Sequence, residues 1–212
     1  MFLIKAKEFE QARFRRDIIG IKQKVPTLNK KRLQYINFDN AASTPALHPV
    51  LNEITDFLGL YSGVHRGTGY KSLLSSQVYE NCHEIIGKFV NADMDNDTVI
   101  MVKNTTEAIN KLSYRLALAA GDIVISTIME HHSNDLPWRR RSRVEYAGVN
   151  QQGQLNLLDV EAKLRRNYPK VKLLTVCGAS NVTGHLNPIH ELAEMAHEYR
   201  AQILVDAAQL IP

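Results

Sequence analysis

Five short apolar runs, separated by helical patterns, constrain this chain more than any other feature. They are Thr98–Val102, Ile123–Ser126, Val144–Val149, Val171–Val176 and Ile203–Val205. Their apolar residues are mostly continuous rather than alternating. Strands of that kind are covered on both faces, which requires a parallel sheet with helices on each side. Between the runs, apolar residues follow the 3.6-residue period over Thr105–Ala119, Ser133–Arg141, Leu157–Tyr168 and Pro188–Arg200. The expected fold class is therefore α/β, a mostly parallel sheet flanked by helices in three αβα layers.

Upstream of these runs the pattern changes. The first 35 residues are basic and mixed, with a weak helical spacing through Phe9, Phe14, Ile18 and Ile19. Residues 1–38 read as an N-terminal arm or helix. Within it, Pro26–Lys31 reads as a turn or extended arm, and Tyr35–Asp39 is strand-like. Helices are expected over Leu47–Tyr61 and Ser72–Val90. The loop between them, Ser62–Gly69, carries three glycines in eight residues.

Composition excludes several classes. Hydrophobic residues make up 44%, charged residues 23%, and the net charge is +4. A disordered chain would be less apolar and more highly charged. No apolar segment approaches the ~18 residues of a membrane span. The N-terminus is too charged for a secretory signal peptide. Two cysteines make no disulfide framework, so a reducing cytoplasm is the expected location. The one basic run, Arg139–Arg143 after Trp138, is too short for a nucleic-acid surface and reads as a solvated helix end.

In open parallel sheets, ligands bind beyond the carboxyl ends of the strands. Four polar clusters occupy those positions, and their convergence matters more than any one of them. Asn104-Thr105-Thr106-Glu107 opens a helix. It can bind an anion through free N–H groups and hydroxyls, or serve as a plain capping box of a threonine with Glu107 nearby. Glu130-His131-His132-Ser133-Asn134 invites a metal, but no cysteine or third histidine lies at ligand spacing, so no metal site is expected. The other options there are a structural histidine or a ring stacked on a flat aromatic ligand. Asn181, in Ser180–Gly184, is either a turn former or a neutral donor and acceptor. Asp206 follows an apolar strand, where a carboxylate is desolvated unless paired. It either caps the next turn or faces a cationic ligand nitrogen, and Gln209 points the same way if a turn follows. In the glycine-rich loop, Arg66 beside His65 is a solvated charge or a forked donor to a carboxylate. Cys82 and Cys177 read as structural thiols.

In this order and spacing the clusters resemble the class V aminotransferases of fold type I. The likeness is strongest to the cysteine desulfurase and selenocysteine lyase branch. The matching pieces are Asp39–Pro45, Val64–Gly67, Thr105–Asn110, Glu130–Asn134 with Pro137-Trp138, Ser180–Gly184 and Val205–Gln209, so the likeness runs from about residue 14 to the end. The resemblance implies pyridoxal 5′-phosphate as cofactor, an amino acid as substrate, and a transferase or lyase activity. It implies that Thr105 and Thr106 hold the phosphate and that His131 stacks on the pyridine ring. Asp206 pairs with the ring nitrogen, and Asn181 and Gln209 bond the phenolic oxygen. It implies that His65 and Arg66 line the substrate entrance and that Asn40 and Ala41 sit near the substrate.

Asn104 stands where the family usually has glycine, and Gly67–Lys71 differs from the best-known desulfurases. In the family the Schiff-base lysine, the nucleophilic cysteine and the substrate-carboxylate arginine all follow the Asp-x-x-Gln strand. None of Lys71, Lys88, Lys103, Cys82 or Cys177 occupies those positions. Residues 39–212 are thus expected to be a partial cofactor-binding large domain, an incomplete transferase fold without a catalytic residue of its own. The expected activity is none for this chain alone, as the N-terminal portion of a longer enzyme. The alternative is a non-catalytic protein, derived from such an enzyme, that binds pyridoxal phosphate or phosphate or that dimerises. The expected partner is a second copy or a longer chain. In this fold type two further strands separate the first strand from the one ending at Asp206. Thr98–Val102 should therefore be displaced, covered by another chain, or part of a longer protein.

Overall fold

The structure is a computed structural model describing residues 11–211. Phe9, part of the expected N-terminal helical spacing, lies outside the described residues. The chain divides between Met101 and Val102 into two compact units.

In the first unit, α1 (Gln11–Asp17) leads into an antiparallel hairpin of β1 (Lys24–Pro26) and β2 (Arg32–Gln34). Lys30, at φ 62°, occupies the tight turn, and the Thr27 hydroxyl donates to the Lys31 carbonyl at 2.9 Å. Tyr35–Asp39 forms no strand. The ladder ends where the Tyr35 N–H donates to the Gln23 carbonyl, and beyond it Asn37 and Asn40 bond each other at 2.7 Å. Side-chain amides that satisfy one another locally compete with strand pairing. Two helices follow, α2 (His48–Leu58), with Pro49 in its first turn, and α3 (Tyr70–Phe89).

The second unit contains the parallel sheet. Its helices and strands run α4 (Thr105–Arg115), β3 (Ile123–Thr127), α5 (Leu136–Arg139), β4 (Arg143–Ala147), α6 (Leu157–Asn167), β5 (Val171–Cys177), α7 (Ile189–Glu198) and β6 (Gln202–Asp206). The four strands lie in the order β4-β3-β5-β6, all parallel. Strand β3 is buried at every position, as its continuous apolar run requires.

Alternation within the strands divides the core. Ile123 and Ile125 of β3, with Leu174 and Val176 of β5, pack against Val160 and Leu164 of α6 and Leu192 and Ala196 of α7. Val124 and Leu173 face the other way, onto Ile109 of α4 and Trp138 of α5. Helices therefore cover both faces, giving the three layers expected. Burying side chains of this size contributes roughly 1.5–3 kcal/mol each. Among the described residues no helix is long and apolar enough to cross a membrane.

Three further expected elements differ. Residues 98–102 form no strand. The sheet ends at β6, and no described strand extends it beyond that edge. A β-branched run cannot hold strand geometry without a ladder partner. Helix α4 stops at Arg115 rather than Ala119, because Leu116 is extended at φ −63°, ψ 126°. The expected helix over Ser133–Arg141 splits into a 3₁₀ turn (His132–Asn134) and α5. Pro137 has no N–H for a continuous helical ladder, and the chain re-enters helix only after Asp135.

Among the described residues Ser126 Oγ is the one buried side-chain polar atom without a partner. A buried hydroxyl without a hydrogen bond costs about 1–3 kcal/mol. Ser126→Ala should therefore raise the urea midpoint of unfolding by about 1 kcal/mol in free-energy terms, with the slope unchanged. A lowered midpoint would show that Ser126 has a partner in solution.

Candidate functional site

The site residues of the second unit lie where the parallel strands end. Strand β3 leads into residues 128–134, β5 into residues 178–184 and β6 into residues 207–211. The first residues of α4 complete the group.

Asn104 caps α4. It is extended at φ −168°, ψ 170°, a conformation any residue adopts, and its Oδ1 accepts the Glu107 N–H at 2.9 Å. Glu107 in turn accepts the Lys103 N–H at 2.8 Å. That bond, with help from the Lys111 side chain, holds the Glu107 carboxyl below the usual range. The helix is thus capped without either threonine. Thr105 is half-buried and Thr106 exposed. Thr106 Oγ1 lies 2.7 Å from Ser133 Oγ, and Ser133 Oγ lies 2.9 Å from His131 Nδ1.

Beneath His131 lies a buried polar network. Glu130 Oε1 accepts from the Thr127 hydroxyl at 2.7 Å and from the Cys177 N–H at 2.9 Å. Its Oε2 accepts from Asn134 Nδ2 at 2.6 Å. Asn134 Oδ1 accepts from the Trp138 indole at 3.1 Å and the Thr175 hydroxyl at 2.7 Å. An indole N–H only donates, so the orientation of the Asn134 amide is fixed. Burial pushes the Glu130 carboxyl up; its three hydrogen bonds oppose this, and the nearby charge of Asp206 adds to it. Sequence reasoning placed Glu130 and Asn134 in a strand-end cluster but gave neither a role of its own. The available signal was that Glu130, like Asp206, follows an apolar strand closely.

Asp206 ends β6 and is buried, with 6% of its surface exposed. Its Oδ1 accepts the Ala208 N–H at 3.0 Å, so it does cap the following turn. It has no ion-pair partner among the described residues. The expected turn follows it: the N–H groups of Leu210 and Ile211 both donate to the Ala207 carbonyl. Gln209 stands within this turn and is exposed. Gly178, after β5, lets the turn seat closely, since a Cβ there would lie 2.6 Å from a Leu210 methyl. Asn181 is exposed in a loop shaped by Ser180, whose Oγ accepts the N–H groups of Val182 and Thr183 at 3.2 Å. His131 and Asn181 line one cleft of ≈ 350 Å³, with Glu130, Val149, Ser180 and Thr183.

Asn40, Ala41, His65 and Arg66 belong to the first unit. Asn40 lines a hollow with Ile18, Tyr35 and Asn37, and Ala41 is exposed in the same turn. His65 adopts the left-handed conformation at φ 55°. Its N–H donates to Ser76 Oγ at 2.9 Å, and its ring meets Glu80 at 3.0 Å and the edge of Tyr79. Arg66 lines a separate hollow with Tyr70 and Lys71. The basic run after Trp138 is not one patch: Arg139 pairs with Asp135 and Arg143 with Glu145, while Arg140 and Arg141 are exposed.

Cys177 is buried, and burial first, then the Glu130 and Asp206 carboxylates, pushes its thiol up to about 12. A thiol so raised is neutral in the folded state while the unfolded one ionises from 9.0. Its contribution to stability is complete below about pH 9 and is lost as pH rises toward about 12. Cys177→Ala should flatten that alkaline decline in urea midpoints, and native Cys177 should resist iodoacetamide at neutral pH. Asn134→Ala strands three buried partners and should cost about 3 kcal/mol or more by urea unfolding.

A model of the class-V aminotransferases matches residues 36–212. A cysteine desulfurase of Haloferax volcanii is 35% identical over 186 residues, spanning 84% of this chain and 43% of the relative. A probable cysteine desulfurase of Synechocystis is 32% identical, spanning 91% of this chain and 47% of the relative. Among solved structures, the apo cysteine desulfurase of Thermococcus onnurineus superposes with TM-score 0.77 at 28% identity, covering 92% of this chain and 46% of that one. An Escherichia coli cysteine desulfurase gives TM-score 0.66 at 27% identity, covering 81% and 44%. The chain spans about half the length of the curated relatives it matches.

Proposed function

Because the chain belongs to the class-V aminotransferase family, we propose that it is the N-terminal portion of a pyridoxal-phosphate-dependent, cysteine desulfurase-like enzyme. Its reaction acts on an amino acid, and residues 39–212 form part of its cofactor-binding domain. This span is inactive by itself and pairs with a second copy or a longer chain. The observation that carries the cofactor reading is Asp206, a buried carboxylate with no cationic partner among the described residues. Such a group is costly unless a positive charge meets it. A protonated pyridine nitrogen has the required charge and a single directed N–H.

The remaining donors are assigned to the same molecule. Thr105 and Thr106 stand in the first turn of α4, free of the capping duty that Asn104 performs. They would hold the phosphate, aided by the positive end of the helix. His131 and Asn181 share a cleft, so an imidazole face and an amide are available to a flat ring and its phenolic oxygen. Gln209 would join Asn181 from the turn after Asp206. When bound, pyridoxal phosphate supplies an electron sink for carbanion chemistry on an amino acid. The part this chain plays is to bind the phosphate, orient the ring and keep its nitrogen protonated through Asp206. Asn40, Ala41, His65 and Arg66 are proposed to meet the substrate, with Arg66 the forked donor suited to its carboxylate.

Calorimetry of the whole chain with pyridoxal 5′-phosphate and with pyridoxal tests this reading. The phosphate ester should bind more tightly, and replacing Thr105 and Thr106 with alanine should remove the difference. Asp206→Ala should weaken binding by about tenfold or more, since hydrogen bonds to charged groups contribute about 1.5–3 kcal/mol. Equal binding of the two compounds, or none, would overturn it.

A further inference from the structure

We propose that Ser133 is a positioning residue, a hydroxyl relay that couples Thr106 to His131, so that an anion taken up at Thr106 is felt at the His131 ring. The inference rests on the reading of those two residues as cofactor-holding. It follows from a single backbone donor. The Ser133 N–H lies 3.2 Å from His131 Nδ1 and donates to it. Nδ1 therefore carries a lone pair and no proton, which places the ring proton on Nε2.

Ser133 Oγ lies 2.9 Å from the same nitrogen. A hydroxyl has one proton, and toward an unprotonated nitrogen it can only donate it, so the Ser133 hydroxyl and the longer Ser133 N–H share the single in-plane lone pair of Nδ1 in a three-centre bond. Ser133 Oγ then has only lone pairs to offer Thr106 Oγ1 at 2.7 Å. Thr106 is thus the donor of that bond. The whole relay is polarised in one direction, from Thr106 through Ser133 to His131.

This polarity has a consequence for an anion. The Thr106 proton already points inward, at Ser133. A phosphate oxygen at Thr106 must draw that proton away by rotation of the Thr106 side chain. Ser133 Oγ then loses its donor. Hydrogen bonds in a chain strengthen one another, so the bond from Ser133 to His131 weakens as well. No proton leaves either hydroxyl. Only the rotor of Thr106 turns, and the imidazole reports it. Ser133 also joins the α4 and β3 ends of the site, because Thr106 and His131 come from these two elements.

Long-range ¹H–¹⁵N spectra of the ¹⁵N-labelled whole chain at alkaline pH read the His131 ring nitrogens, assigned by the signal lost in His131→Gln. In the ligand-free chain, His131 Nδ1 should appear as an unprotonated nitrogen. Thr106→Val and Ser133→Ala should each move it downfield, and Ser133→Thr should leave it near its native position. Titration with inorganic phosphate, too small to stack on the ring, should move the Thr105 and Thr106 amides and His131 Nδ1 together. In Ser133→Ala only the amides should move. Unchanged amide shifts across β3 and β5 report that each variant is folded, and Ser133→Thr carries the comparison if Ser133→Ala is not.

An Nδ1 signal that ignores Thr106→Val overturns the relay, whatever phosphate does. If Thr106→Val moves Nδ1 but phosphate leaves the Thr105 and Thr106 amides in place, the relay stands. The anion half, with the cofactor reading beneath it, is then overturned.

Discussion

The amide of Asn134 is the contact on which the second unit most depends. It is buried completely and joins three elements: Glu130 beyond β3, Thr175 in β5 and Trp138 in α5. Every one of its bonds is directional, and the indole allows only one orientation of the amide. Removing any member leaves a buried donor or acceptor without a partner, which costs more than the bond itself contributes. The chain between Glu130 and Trp138 is thereby held in one conformation, and His131 and Ser133 ride on it. A site residue that is exposed at its surface is set by a network buried beneath it.

The carboxyl ends of the parallel strands concentrate negative charge. Asp206 lies close enough to raise the cost of ionising Glu130, and both carboxylates raise the cost of ionising the Cys177 thiol. Glu130 offsets this with three hydrogen bonds. Asp206 has the Ala208 amide and the charge of no cation among the described residues. The two carboxylates thus have different parts. One is satisfied within the protein and organises the loop above it. The other is left with capacity for a positive group from outside, which is the chemical basis for reading a cofactor there.

Much of this was legible in the sequence. Continuous apolar runs located β3, β5 and β6 to within a residue or so, because a strand covered on both faces has little freedom to be polar. The polar clusters after them were found for the same reason. Elements that depend on a neighbour were not legible. Thr98–Val102 has strand propensity but no ladder, and Tyr35–Asp39 yields to side-chain amides that bond one another. A capping box at the start of α4 was readable with a threonine as its cap, but Asn104 does the capping and releases both threonines, because its Oδ1 meets the Glu107 N–H. The roles of Glu130 and Asn134 were missed because their importance lies in Thr175 and Cys177, more than forty residues away in the chain.

The sequence by itself determined the class of fold, the order of its strands and helices along the chain, and which polar clusters stand at the strand ends. Those follow from local periodicity and from the cost of burying polar groups. Only the tertiary structure decided the strand order β4-β3-β5-β6 and the meeting of Thr106, Ser133 and His131 in one hydrogen-bonded chain. It likewise decided which of two similar carboxylates is already satisfied. The reason is that hydrogen-bond direction is set by which donors and acceptors meet in space. Pairs that meet across α4, β3 and β5 leave no trace in the spacing of residues along the chain.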